Sequence, residues 1–141
     1  MSEWLIAWVL SFLGARPGGP ECVALVGLDA QRAEALAAGD REALTALHAR
    51  PPDAAADLAV LDGYAARGLT VHGAMLIVLE CSVTSRDGDL VWLEVIDRLA
   101  PTVAVDAAGE RRALPTDEPT QRTVVLQQVD GAWRYAGSGV A

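Results

Sequence analysis

The chain has 141 residues, enough to bury one hydrophobic core and too few to build two. Its formal charge of −8 offers no positive patch for counterion release, which excludes nucleic acid as a partner. Cys22 and Cys81 are too few for a disulfide framework. With His48 and His72 scattered among them they have no metal-ligand spacing, so neither a metal nor a cofactor is expected.

The hydrophobic fraction is 52%, but much of it is alanine. The core is therefore expected to be aliphatic, supplemented by Trp4, Trp8, Trp92 and Trp133. All 11 basic residues are arginine, and lysine and asparagine are absent, the mark of a GC-rich coding sequence. Trp4 to Leu13 (WLIAWVLSFL) is an apolar run preceded by Glu3 and by no basic residue. A signal peptide needs a positive start and a transmembrane helix about 20 apolar residues, so the run fits neither. Residues 1–19 read as this apolar segment plus the Gly/Pro linker Gly14 to Pro20, and residues 20–138 as one domain. If helical, Trp4, Trp8 and Phe12 share a side, a surface suited to a protein partner or a membrane interface.

Pro20 and Glu21 fit the first turn of a helix that ends at Gly39, with Val23, Val26, Ala30, Ala33 and Ala37 as its apolar stripe and Arg32 left wet. Asp40 caps a short second helix carrying Leu44 and Leu47, stopped by Pro51-Pro52. Asp53 caps a third, with Leu58, Leu61 and Ala65 inward and Arg67-Gly68 at its end.

From Leu69 the period changes to two. Leu69 to Thr84 reads as one long strand bent at Gly73, and Leu90 to Leu99 as a second with Val91, Leu93, Val95, Asp97 and Leu99 on one face. Thr102 to Val105 is a short strand and Arg111 to Pro119 a polar surface loop. Asp130-Gly131 closes a hairpin of Thr120–Val129 and Ala132–Ala136, pairing Val129 with Ala132, Gln128 with Trp133 and Leu126 with Tyr135, with Trp133 largely buried.

Three helices followed by a meander of long bent strands, with Leu28-Asp29-Ala30-Gln31-Arg32-Ala33, Ala38-Gly39-Asp40, Tyr64 to Val71, Val95-Ile96-Asp97-Arg98-Leu99 and Val129 to Arg134, resembles the NTF2-like (SnoaL-like) superfamily. The likeness spans Cys22 to Ala136 and is nearest to an uncharacterised group from high-GC bacteria. It implies an α+β cystatin/NTF2-like cone in which three N-terminal helices pack in the concave face of a curved, mainly antiparallel sheet. Similar domains follow a signal sequence or membrane helix, which makes Trp4 to Leu13 comparable to the remnant of an anchor. The compartment stays open between cytoplasm and membrane surface.

Enzymes of this superfamily carry a carboxylate inside the cone, and Asp97, on an apolar strand face, is the corresponding candidate, with His72 as a pocket donor. The alternative for Asp97 is a structural carboxylate accepting hydrogen bonds from loop amides, and for His72 a surface position. Tyr64, Trp92, Trp133 and Tyr135 are candidates to line a ligand pocket or to fill the core. Cys81 is expected to be an inert buried thiol, and Cys22 lacks a base beside it. The leading expectation is a non-catalytic binding or assembly module, with a homodimer through the sheet as one form. The second is a small-molecule enzyme similar to polyketide cyclases or ketosteroid isomerases, with Asp97 as acid/base. A cone interior filled by side chains favours the first, and one open around a polar cluster favours the second.

Overall fold

A computed structural model describes residues 19–137. Trp4, Trp8 and Phe12, and with them the expectations for the N-terminal segment, lie outside the described residues. Among those described, no helix is long and apolar enough to cross a membrane.

The helical half comprises α1 (Pro20–Ala38), α2 (Arg41–Ala46), a 3-10 turn (Pro51–Ala54) and α3 (Ala55–Ala65). Pro20 starts α1, and Gly39, with φ of +65°, ends it in the left-handed conformation that glycine adopts without steric cost. Asp40 caps α2, its Oδ1 accepting from the Ala43 amide at 3.0 Å. Asp53 does not cap α3: the two prolines draw it into the 3-10 turn, and Ala54 takes the cap position.

The face that α1 buries is not the expected one. Cys22, Leu25, Leu28, Asp29, Ala35 and Leu36 are inward, while Val23 is 68% and Val26 41% exposed. Both stripes follow helical spacing, but the inward one carries the larger side chains of Leu25, Leu28 and Leu36 together with the Asp29 carboxylate, so spacing alone did not distinguish the two sides. Arg32 is half-buried and ion-paired rather than wet.

The strands are β1 (Leu69–His72), β2 (Leu76–Asp87), β3 (Leu90–Leu99), β4 (Val103–Asp106), β5 (Arg111–Ala113), β6 (Thr120–Val129) and β7 (Ala132–Tyr135). They form a three-stranded sheet in the order β1-β4-β5 and a four-stranded sheet in the order β2-β3-β6-β7, with every pairing antiparallel. The expected single strand from Leu69 to Thr84 is in fact split between the two sheets at Gly73. That glycine has φ of +79°, and a Cβ there would stand 3.1 Å from the Pro101 carbonyl oxygen, so the chain passes too closely to continue one strand. Arg111–Ala113 belongs to a strand and not to the polar loop, because it completes the edge of the smaller sheet against β4.

The last hairpin has the expected register, Val129 with Ala132, Gln128 with Trp133 and Leu126 with Tyr135. Asp130 and Gly131 both have positive φ, 52° and 82°, as a two-residue turn matching strand twist requires. Trp133 packs on the rim of the core and is only half-buried, because its cross-strand neighbour Gln128 faces solvent. Irregularities in β2 at Val78/Glu80 and Val83/Ser85 bend the larger sheet, and α1 packs against β1, β2 and β7 in the resulting concavity.

Leu25 and Leu36 of α1, Leu44 of α2, Leu61 of α3, Val91, Leu93 and Val95 of β3 and Leu126 of β6 build the core. Cys22 and Cys81 are joined in a disulfide with Cα atoms 6.1 Å apart. This corrects the reading of Cys81 as a free thiol: both cysteines face the same core, and helix-to-sheet packing brings them together across 59 residues. Beside them the buried Glu21 is paired with Arg86, Oε1 to Nη2 2.6 Å.

Candidate functional site

The concave side of the larger sheet is not filled. Between it and the helices lies a cavity of ≈ 730 Å³, in the range of small-molecule sites. Its polar lining arrives from seven segments: Asp29 and Arg32 from α1, His48 just after α2, Asp53 and Asp57 around the start of α3, Asp97 from β3, Thr116 and Asp117 from the loop before β6, Arg122 from β6 and Tyr135 from β7. Leu76, Leu99, Pro115 and Val124 supply apolar wall.

Backbone hydrogen bonds fix the tyrosine and the histidine relative to each other. The Tyr135 amide donates to the Leu47 carbonyl at 2.9 Å, and the Ala49 amide donates to the Tyr135 carbonyl at 2.8 Å. This stitches β7 to the exit of α2 and sets the His48 and Tyr135 rings 5.2 Å apart.

Asp29, 1% exposed, accepts a hydrogen bond from the Tyr135 hydroxyl on Oδ1 at 2.5 Å. Its Oδ2 is buried without a partner among the described residues. Burial pushes the Asp29 carboxyl up to about 6, a rise that the neighbouring Asp97 charge assists and that the Tyr135 hydrogen bond and the Arg122 and Arg32 charges only partly offset. The Tyr135 hydroxyl is driven above its ordinary value by burial and then by the charge and hydrogen bond of Asp29. Tyr135 is therefore a donor, not a base.

Asp97, also 1% exposed, is met by Arg122, whose Nε and Nη2 donate to Oδ2 at 2.9 and 2.7 Å. Burial of Arg122 favours losing its proton, but the hydrogen bonds and charge of Asp97 outweigh it and raise the guanidinium further. Antiparallel pairing sets Asp97 opposite Thr120 and Val95 opposite Arg122, so Arg122 reaches diagonally to the carboxylate. Asp97 thus accepts from an arginine of the neighbouring strand and not from the loop amides expected of it. The loop carboxylate that accepts a β3 amide is Asp117, from Leu99 N at 2.8 Å.

A third cluster closes the wall. Asp57 accepts from Arg32 Nε at 2.8 Å and contacts His48 Nε2 at 2.9 Å. Burial alone would raise the Asp57 carboxyl, but the His48 hydrogen bond and the Arg32 charge and hydrogen bond together lower it.

No protein-family model matches the sequence, and no curated protein matches it significantly. Among solved structures, Aln2 from a Streptomyces species superposes with a TM-score of 0.54 at 15% identity, over 86% of this chain and 90% of that one. The intermembrane space region of the chloroplast protein ARC6 gives 0.48 at 13% identity, covering 82% and 91%. A candidate dehydratase from the NTF2-like family of Streptomyces avermitilis gives 0.47 at 13%, covering 84% and 97%.

The chain shares its fold with Aln2. Within this cone, Asp97 and Tyr135 of the sequence candidates line the cavity, while Tyr64, His72, Trp92 and Trp133 are not among its lining residues. His72 lies on β1 of the smaller sheet, hydrogen-bonded to the Thr70 hydroxyl at 2.8 Å. Trp92 points to the β3 face opposite the core, where alternation places it with Leu90, Glu94 and Ile96. Tyr64 and Trp133 pack against the core rim. Asp29, Arg32, His48, Asp57 and Arg122 were not singled out from sequence. The one local signal was Asp29, at the i+4 position from Leu25 and i+7 from Cys22 on the buried stripe.

Proposed function

We propose that this domain binds a small molecule in the cone, with Asp29, Tyr135 and Arg122 at its polar end. The observation that carries the reading is the ≈ 730 Å³ cavity with three separate carboxylate clusters in its wall. A domain that served only as an assembly surface has no need to bury charged groups around empty volume, since each costs desolvation free energy. Ligand sites combine such apolar walls with a few convergent polar groups.

The test is a fragment screen followed by amide NMR. Binding should perturb Arg32, Arg122 and Tyr135 amides, and Ala56→Trp, placed in the cavity wall on an exposed turn of α3, should remove it. Fragments that perturb only the outer sheet face, or concentration-dependent self-association with an inert cavity, would favour the assembly role instead.

A second reading, acid–base catalysis on the bound molecule, draws on Asp29 rather than Asp97. A carboxyl titrating at about 6 exchanges protons near neutral pH, as a general acid or base must, whereas Asp97 is committed to Arg122. Turnover that falls by orders of magnitude in Asp29→Asn with binding retained would establish it.

A further inference from the structure

We propose that the cone selects a cationic small molecule, an organic amine with an apolar body, and that the carboxylates of Asp29 and Asp53 are what select it. The inference rests on the reading of the cone as a ligand pocket and adds the chemical class of its occupant.

The charge balance of the wall is unequal. Asp29, Asp53, Asp57, Asp97 and Asp117 line the cavity, against Arg32, Arg122 and the imidazole of His48. Asp97 neutralises Arg122, and Asp57 is met by both Arg32 and His48. Asp117 already accepts the Leu99 amide. Asp29 and Asp53 remain undercompensated. The Tyr135 hydroxyl is neutral, and Asp53 is met on Oδ1 alone by Arg50, whose own side chain is 73% exposed, at a long 3.3 Å.

Each of the two carboxylates also has one oxygen without a donor. Asp29 is 1% exposed and the Asp53 side chain 7%, and in each the Oδ2 atom is buried with no hydrogen-bond partner among the described residues. A buried acceptor left open is costly, and more so when charged. An ammonium group supplies both missing elements, N–H donors and positive charge.

The competing ligand classes fit less well. An anion would meet an excess of carboxylate, with the side-on edge of Arg122 already spent on Asp97 and the Tyr135 proton on Asp29. For a metal ion, no group of three His, Cys, Asp or Glu side chains among the described residues is placed to hold one. Leu76, Leu99 and Val124 suit a hydrocarbon body.

Calorimetric titration of the full chain with 2-phenylethylamine, 2-phenylethanol and phenylacetate at neutral pH tests this, with amide NMR reporting whether the cavity is the site. The amine should bind at least about tenfold tighter than the alcohol, the worth of a charge-assisted hydrogen bond, and phenylacetate weakest. Asp29→Asn and Asp53→Asn, each first shown by circular dichroism to be folded, should separately reduce the amine-over-alcohol ratio, and the double variant should abolish it. Alcohol or carboxylate binding in the cavity as tightly as the amine overturns the cationic class and leaves the pocket intact. An undiminished ratio in a folded double variant overturns the assignment to these residues. If none of the three probes enters the cavity the amine proposal falls, and the fragment screen alone decides whether the pocket reading falls with it.

Discussion

The hydroxyl of Tyr135 and the carboxylate of Asp29, 106 residues apart in the chain, meet at 2.5 Å inside the cone. Among the described residues, that bond supplies the one hydrogen-bond donor of a buried carboxylate. Tyr135→Phe should destabilise the fold by about 1–3 kcal/mol, the cost of stranding a buried acceptor. Because the tyrosine lowers the Asp29 value against the effect of burial, the variant's Asp29 should titrate above the parent's. Chemical denaturation and a carbon-detected carboxyl titration measure both. An Asp29 that titrates at or below the parent value would show that the bond does not govern this carboxylate.

The pH dependence of stability has a definite sign at Asp29. Its carboxyl is raised to about 6 in the fold from 3.8, so its stabilising contribution is fully present below 3.8 and is lost as pH rises through about 6. The difference corresponds to on the order of 3 kcal/mol between pH 4 and 7. Asp29→Asn cannot ionise and lacks this loss, so its stability relative to the parent should rise across that interval. Asp57, whose value is lowered, acts in the opposite sense, contributing above 3.8 and fading on acidification. It is common to both proteins and cancels in the comparison. Parallel urea melts that keep a constant offset from pH 4 to 7 would contradict the assignment.

Arg122 is 38% exposed at its side chain, yet its partner Asp97 is 2%. Removing the arginine strands a buried carboxylate, so Arg122→Ala should cost about 3–5 kcal/mol. Asp97→Asn combined with Arg122→Met should recover a large part, because the uncompensated charge goes with the pair. A double-mutant cycle by denaturation supplies the coupling. Strictly additive effects would mean that the pair is electrostatically idle.

The Cys22–Cys81 disulfide ties the first turn of α1 to the middle of β2 and spans 59 residues. A loop of that length restricts the unfolded chain by about 4 kcal/mol on the chain-entropy account. Cys22→Ser/Cys81→Ser should lose a comparable amount, and the parent unfolded in strong reductant should approach the double variant. Equal stability with and without reductant would show that the bond adds nothing.

The secondary structure was legible where its cause is local. Asp40 caps α2, Gly39 ends α1, and Asp130-Gly131 sets the hairpin register, because each acts through its own backbone angles or a hydrogen bond three residues away. The alternating face of β3 was legible too, since Val91, Leu93 and Val95 are buried in step with their period. The order of these elements was enough to indicate an α+β fold with helices preceding antiparallel sheets.

The cavity and its chemistry were decided only by tertiary structure. Asp97 is adjacent in sequence to Arg98, yet its partner is Arg122, because antiparallel pairing of β3 with β6 brings in residues that no local spacing connects. Asp29 lies on the buried face of α1 with Leu25, Leu28 and Leu36, a carboxylate that helical spacing alone does not send inward. It turns inward because Tyr135, from the last strand, meets it there. Cys22 and Cys81 looked like two unrelated thiols until α1 lay on β2. Propensity, capping and periodicity are properties of neighbouring residues, so the sequence determined the elements and their order. Compensation of a buried charge depends on which distant groups the packed sheet and helix bring within about 3 Å, so the site was settled only when the chain closed on itself.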